Sequence, residues 1–239
     1  MSTLTFVRHA QASFFDDDYD QLSAIGQEQA RRLGEYWLRQ DVKFDEVYTG
    51  PRERHRGTAE LVGQCFAQGD CPWPQPVVVP DLDEHEVDRV LKSALDDVVL
   101  AHPQLCSLAA AFAHARERED YSRSFQQLFE ALTHLWIRGE LAPAAAITPW
   151  LQYRQRVCAS LQEITKAKRG RRMVAFVSVG TMAATLQWIL QCSDAQAAEH
   201  SWRLRNCSLT EVVFSGEKFT LDGFNALPHL DDRALWTYR

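Results

Sequence analysis

The sequence predicts a three-layer α/β fold: a mostly parallel sheet covered by helices, with a helical cap inserted at about residues 87–147. Three observations carry this. From residue 3 to Pro80, strand-like segments alternate with segments of helical period, which is the pattern of a parallel sheet with covering helices. Residues 87–147 break the alternation, being rich in Ala and Leu and poor in Gly and β-branched residues. The continuous apolar run Met173–Ser178 then resumes it, with the composition of a central strand buried on both faces.

The elements follow in order. Residues 3–8 are β-rich and lead into Arg8-His9, and strand ends feeding loops are where open α/β sheets place their chemistry. Phe14–Asp20 is acidic and irregular and reads as a loop. Ser23 is a good N-cap for a helix that carries Ala30, Leu33 and Trp37 at helical spacing. Phe44–Thr49 reads as a short strand, and a second helix from about Glu53 puts Ala59, Val62 and Phe66 on one face. Four prolines between Gly69 and Pro80 surround Val77-Val78-Val79, a loop holding one short strand. After the cap, Thr148-Pro149 opens a helix as N-cap and first residue, with Val157, Leu161 and Ile164 as its buried stripe. Gly180–Cys192 reads as the next helix. Ser208–Phe214 and Lys218–Phe224 flank the hairpin-like turn Ser215-Gly216-Glu217. No internal repeat or low-complexity linker interrupts the chain, so residues 1–239 form one domain with its cap.

The bulk composition narrows the function. Hydrophobic residues make up 46% and charged residues 24%, a globular balance. The net charge of −6 gives no reason to expect nucleic acid or an anionic membrane as partner. The basic run Lys166–Arg172 contains Gly170 and is read as a helix end, where cations complement the dipole and glycine stops the helix. The six cysteines are scattered and form no Cys-x-x-Cys pair, so neither a zinc motif nor a redox motif shows. Together with an N-terminus that enters a strand directly and no run of membrane-spanning length, they lead us to expect a cytoplasmic protein.

Chemistry concentrates in a few short stretches: Arg8-His9-Ala10, Leu22-Ser23-Ala24-Ile25-Gly26, Gly50-Pro51-Arg52-Glu53-Arg54-His55-Arg56-Gly57-Thr58-Ala59, and Leu82-Asp83-Glu84-His85. In this order they resemble the motifs of the histidine phosphatase superfamily, the phosphoglycerate mutase-like proteins. Ala10 stands for the glycine of Arg-His-Gly, and Leu22–Gly26 for Leu-Thr-x-x-Gly. Gly50–Ala59 stands for Ser-Pro-x-x-Arg-Ala-x-x-Thr-Ala, and Leu82–Glu84 for Leu-x-Glu. The tail Phe224-Asn225 … His229-Leu230 … Thr237-Tyr238-Arg239 is of a kind seen in bacterial members.

The resemblance implies a reaction. A phosphomonoester needs cations on its non-bridging oxygens, an in-line nucleophile and an acid for the leaving oxygen. It implies His9 as nucleophile through a transient phosphohistidine, Arg8 and Arg54 as phosphate clamps, and Glu84 as acid and then base. Arg52 and Arg56 are read as surface residues and His85 as a solvent-facing neighbour. No cofactor and no metal are expected, and the partner is a phosphorylated small molecule or phosphate-like anion.

One position departs. The family's second histidine follows a late strand in Ser-His-Gly, and this chain has Ser178-Val179-Gly180. Valine has no donor to offer a phosphoryl oxygen. Three accounts stay open: a working phosphatase in which another group fills the gap, a weak or inactive phospholigand-binding protein, or an introduced substitution. Candidates for the gap are Thr181 with the backbone N–H groups at Gly180, which open a helix suited to an anion, and Asn206 and His229 as auxiliaries. A mutase is the lesser reading, because neither a retained phosphodonor nor a carboxylate pocket can be named. In the cap, Phe125, Trp136 and Arg138 are candidates for the entrance, with packing the commoner role for such aromatics.

Overall fold

A computed structural model describes residues 1–13, 20–115, 118–141 and 147–238. The expected loop Phe14–Asp20 lies outside the described residues except for Asp20. The chain divides into two compact units, Met1–Glu84 with Arg156–Arg239, and His85–Gln155.

The first unit holds a six-stranded sheet flanked by helices. Its strands are β1 (Ser2–Arg8), β2 (Glu46–Thr49), β3 (Val77–Val78), β4 (Arg172–Val177), β5 (Leu209–Ser215) and β6 (Lys218–Ala226), in the order β3-β2-β4-β1-β5-β6. The three pairings among β3, β2, β4 and β1 are parallel, while β5 and β6 add an antiparallel edge. β4 is central, as its unbroken apolar composition requires, with Met173 to Val177 all buried.

Helices α1 (Ala24–Arg39) and α2 (Glu53–Gln68) bury Ala30, Leu33 and Trp37, and Ala59, Val62 and Phe66, in one core with Val7, Val47, Val174 and Phe176 of the sheet. The alternate residues Leu4, Phe6, Met173 and Ala175 are equally buried and point to the opposite face. Helices α7 (Trp150–Thr165), α8 (Val179–Leu190) and α9 (Asp194–Trp202) complete the elements that continue into or belong to this unit. The predicted stripe Val157, Leu161 and Ile164 of α7 is buried. α7 starts one residue later than expected: Tyr153 N–H donates to Pro149 O, which makes Pro149 the cap rather than the first turn. The basic run begins just past the end of α7 at Thr165, so no basic residue lies in the last turn of the helix. Two of its members, Lys168 and Arg171, pair with Glu46 and Asp45 at the start of β2.

The second unit is helical, with α3 (Val87–Ser93), α4 (Leu95–Ala101), α5 (Cys106–His114), α6 (Arg118–Ile137) and the first residues of α7. Val90, Val98, Leu128, Leu132 and Leu135 are buried in it. His85 is not solvent-facing, as the sequence suggested. Its ring is buried and lies 4.9 Å from Trp136 and 5.7 Å from Phe129, between centroids. A short acidic stretch conceals such a residue, because its aromatic partners come from α6, far along the chain. Trp136 is a packing residue, with its Nε1–H donating to Thr148 O. Phe125 stacks on Phe129, and Arg138 pairs with Glu140. Among the described residues no helix is long and apolar enough to cross a membrane.

Candidate active site

The neighbouring strand β4 and the turn before β5 hold the His9 backbone in place. Its N–H donates to Val177 O of β4 at 2.9 Å, and its carbonyl accepts from Asn206 Nδ2 at 3.2 Å. Ala10 N–H donates to Thr58 Oγ1 at 3.1 Å, and that hydroxyl donates to Arg54 O at 2.6 Å. The loop after β1 is thereby tied to the first turns of α2, which carries Arg54. Gly50, at the end of β2, donates to Phe176 O of β4. The carboxyl ends of β1, β2 and β4 thus lie side by side, the position at which such sheets bind ligands.

The His9 ring is held in one tautomer. Nδ1 is 2.8 Å from Ala10 O, which can only accept, so Nδ1 carries the proton and Nε2 keeps its lone pair. Arg54 Nε donates to that nitrogen at 3.3 Å. Burial, then the Arg54 and Arg8 charges, hold the imidazole well below its usual pKa. At neutral pH the His9 imidazole is therefore uncharged.

Arg54 is 5% exposed. Its Nη1 pairs with Asp20 Oδ1 at 2.6 Å, and Asp20 Oδ2 also accepts from Glu53 N–H at the start of α2. Its Nη2 reaches Ser178 Oγ at 3.4 Å, a long contact. Arg52 pairs with Asp83, and Arg56 is exposed.

Glu84 Oε1 accepts from Gly180 N–H at 3.1 Å, in the first turn of α8. Thr181 Oγ1 donates to Leu82 O at 3.2 Å. These two bonds tie the Leu-x-Glu stretch to the opening of α8. They also commit the Gly180 amide and the Thr181 hydroxyl to protein acceptors.

Three expected site residues behave otherwise. Arg8 donates from Nη1 to Leu204 O and from Nη2 to Tyr238 O, both at 2.5 Å. Its charge acts on His9, while these two nitrogens serve the main chain. Asn206 spends its side chain on His9 O and on Thr237 Oγ1 and so acts as scaffold. His229 is buried against Tyr36, with ring centroids 6.4 Å apart and no hydrogen-bond partner for either ring nitrogen among the described residues.

Sequence reading passed over three participants. Asp20 supplies the carboxylate on Arg54, and Ser178, at the N-cap position of α8 but with no side-chain capping bond, lies beside it. His55 is wholly buried, its Nε2 is 2.5 Å from Ser178 Oγ, and its ring centroid is 5.7 Å from that of His9. The signal for His55 was present, since it follows Arg54 at the alanine position of the motif that this stretch resembles.

The family description "Histidine phosphatase superfamily (branch 1)" matches residues 4–227. Comparison with curated proteins returns no match. Among solved structures, a phosphoglycerate mutase from Bacillus anthracis is 18% identical with a TM-score of 0.64, covering 95% of this chain and 94% of its own. A phosphoserine phosphatase mutant from Entamoeba histolytica, in complex with phosphoserine, is 14% identical with a TM-score of 0.62, covering 96% and 100%. A putative α-ribazole-5′-phosphate phosphatase from Escherichia coli is 18% identical with a TM-score of 0.60, covering 95% and 98%. At these identities the likeness is one of fold.

Proposed function

Since the chain belongs to the histidine phosphatase superfamily by the match over residues 4–227, we propose that it hydrolyses phosphomonoesters through a phosphohistidine on His9. The observation that carries this reading is the state of His9: neutral, with Nδ1 protonated onto Ala10 O and its Nε2 lone pair set against Arg54. A neutral imidazole attacks a phosphate dianion without charge repulsion.

The steps balance with protein groups and water. An entering phosphoryl group takes donors from Arg54, and the nearby Arg8 charge adds to the field. His9 Nε2 forms a bond to phosphorus as the ester oxygen departs, and Glu84 gives that oxygen a proton. The Glu84 carboxylate then takes a proton from water, whose oxygen attacks phosphorus and releases His9 and inorganic phosphate. The Gly180 N–H bond fixes the carboxylate for both transfers. The scheme calls on no metal, and the substrate class is a phosphorylated small molecule.

A second reading rests on Val179. If its lost donor is not replaced, the pocket binds phosphorylated ligands with little or no turnover, since one preorganised donor is worth about 10²–10³ in rate. Phosphate release from a panel of phosphomonoesters by wild type and His9→Ala decides between them. Turnover in wild type that falls at least a thousandfold in His9→Ala, roughly the loss seen when a catalytic group is removed, supports the enzyme. Vanadate binding without phosphate release supports the binding protein, and equal turnover in both proteins would remove His9 from the mechanism.

A further inference from the structure

Val179 leaves the pocket without the imidazole expected there, yet the structure brings another imidazole to the same neighbourhood. His55 sits in the first turn of α2 with 0% exposure, and its Nε2 is 2.5 Å from Ser178 Oγ. Ser178 immediately precedes Val179, and its hydroxyl accepts from Arg54 Nη2 at 3.4 Å. Arg54 in turn donates to His9 Nε2. A chain of polar contacts therefore runs from His55 through Ser178 and Arg54 to the nucleophile.

Two features separate this ring from ordinary packing. Alanine is the better helix former and costs no desolvation, so a purely structural role would favour it at position 55. Moreover, a Cβ on residue 50 would fall 2.3 Å from His55 Nδ1, so only glycine at that position admits the ring. The resembled motif has serine at position 50 and alanine at position 55. The departures at 50, 55 and 179 thus converge on one spot beside Ser178.

We propose that His55 is a positioning residue of the phosphate site: through Ser178 Oγ it fixes the Arg54 guanidinium against His9, in the pocket that Val179 leaves short of an imidazole. A serine hydroxyl has one proton and two lone pairs. One lone pair takes Arg54, and the bond to His55 sets the direction of what remains. The link is buried, where such bonds reinforce one another and a broken member is felt along the chain. This proposal rests on the phosphatase reading for its catalytic meaning, but not for its test.

The test compares His55→Ala, His55→Gln, Ser178→Ala and the double variant His55→Ala/Ser178→Ala with wild type. Vanadate affinity is read by calorimetry, and kcat and KM on any phosphomonoester that is turned over. His55→Ala should weaken vanadate binding by about tenfold, and the double variant should be no worse than the weaker single, because both break one link. His55→Gln, whose amide can still reach Ser178, should recover most of the loss. Thermal melting identifies any variant that does not fold. If His55→Ala is one of these, Ser178→Ala, which removes a single oxygen and leaves the ring packed, decides. Wild-type vanadate affinity in the folded Ala variants, losses that add in the double, or a Gln variant no better than Ala would each overturn the proposal. An absence of phosphate release from wild type would instead count against the phosphatase reading, and the vanadate affinities would still decide the role of His55.

Discussion

His9, the nucleophile of the proposed reaction, shows how an imidazole is kept neutral by subtraction. Burial removes water from the ring, two arginines disfavour its protonation, and the Ala10 carbonyl selects the tautomer. Arg54 is different, because in the resting site it already holds an anion. Asp20 places one carboxylate oxygen on Arg54 Nη1 and the other on the Glu53 N–H at the head of α2. An incoming phosphate must share or displace that partner. Asp20→Asn should therefore tighten phosphate or vanadate binding by about five- to tenfold, the worth of removing one like charge at the edge of a site of intermediate dielectric. Calorimetry at fixed ionic strength reads this, and weaker binding in the variant would show that Asp20 matters as an anchor for Arg54 rather than as a competing anion. Arg54 was singled out in the sequence because motif spacing distinguishes it from Arg52 and Arg56, and of the three it is the buried one. Asp20 was not, because one carboxylate among four in an acidic stretch carries no local mark of its partner.

At the scale of elements, the site depends on how closely α1 approaches the loop after β1. Ser23 caps α1 by accepting from Gly26 N–H at 3.0 Å, and its hydroxyl donates to Gln11 Oε1 at 2.8 Å. A Cβ on Gly26 would lie 2.1 Å from Gln11 O, a backbone atom that cannot swing aside. Glycine here serves proximity, not a special dihedral. Gly26→Ala should cost about 2–4 kcal/mol of stability, in the range of overpacking that moves backbone, and lower turnover by displacing the loop that carries His9. Urea unfolding checks the first and phosphate release the second, and a midpoint like that of wild type would show that the helix can shift at little cost. The cap and the helix were plain from residue type and period. The distance that makes Gly26 necessary was not, because it is set between α1 and the chain after β1.

Over the whole molecule, three histidines share one electrostatic situation. His9 and His55 lie well below their usual pKa, first through burial, and burial alone lowers His229 to about 3. A histidine kept neutral in the folded state binds its proton more readily when unfolded. Stability therefore stands in full above the unfolded value of about 6.5 and is lost as pH falls below it, by up to roughly 1.4 kcal/mol per pH unit for each such group. For His229 this loss continues down to its folded value of about 3. His229→Leu exchanges two buried nitrogens that have no hydrogen-bond partner among the described residues for apolar atoms. It should leave stability at pH 7 unchanged or raised and make the acid loss shallower by one histidine's share. Unfolding by urea at pH 7 and pH 5 reads the difference, and parallel losses in wild type and variant would place the acid sensitivity elsewhere.

The sequence by itself determined the class of fold, the order of elements, the Ser23 cap, the central place of Met173–Val177 and the family, because these rest on periodicity, residue type and spacing along the chain. Only the tertiary structure decided what the polar groups do once gathered. Arg8 spends two nitrogens on the carbonyls of Leu204 and Tyr238, 196 and 230 residues away along the chain. Asn206 becomes scaffold for the His9 carbonyl, and His55 meets Ser178 across 123 residues. Hydrogen bonds of this kind leave no period and no local composition behind them. They exist because the carboxyl ends of parallel β1, β2 and β4 lie side by side and antiparallel β5 brings the chain before it against β1, and the donors and acceptors so gathered must satisfy one another where water is excluded.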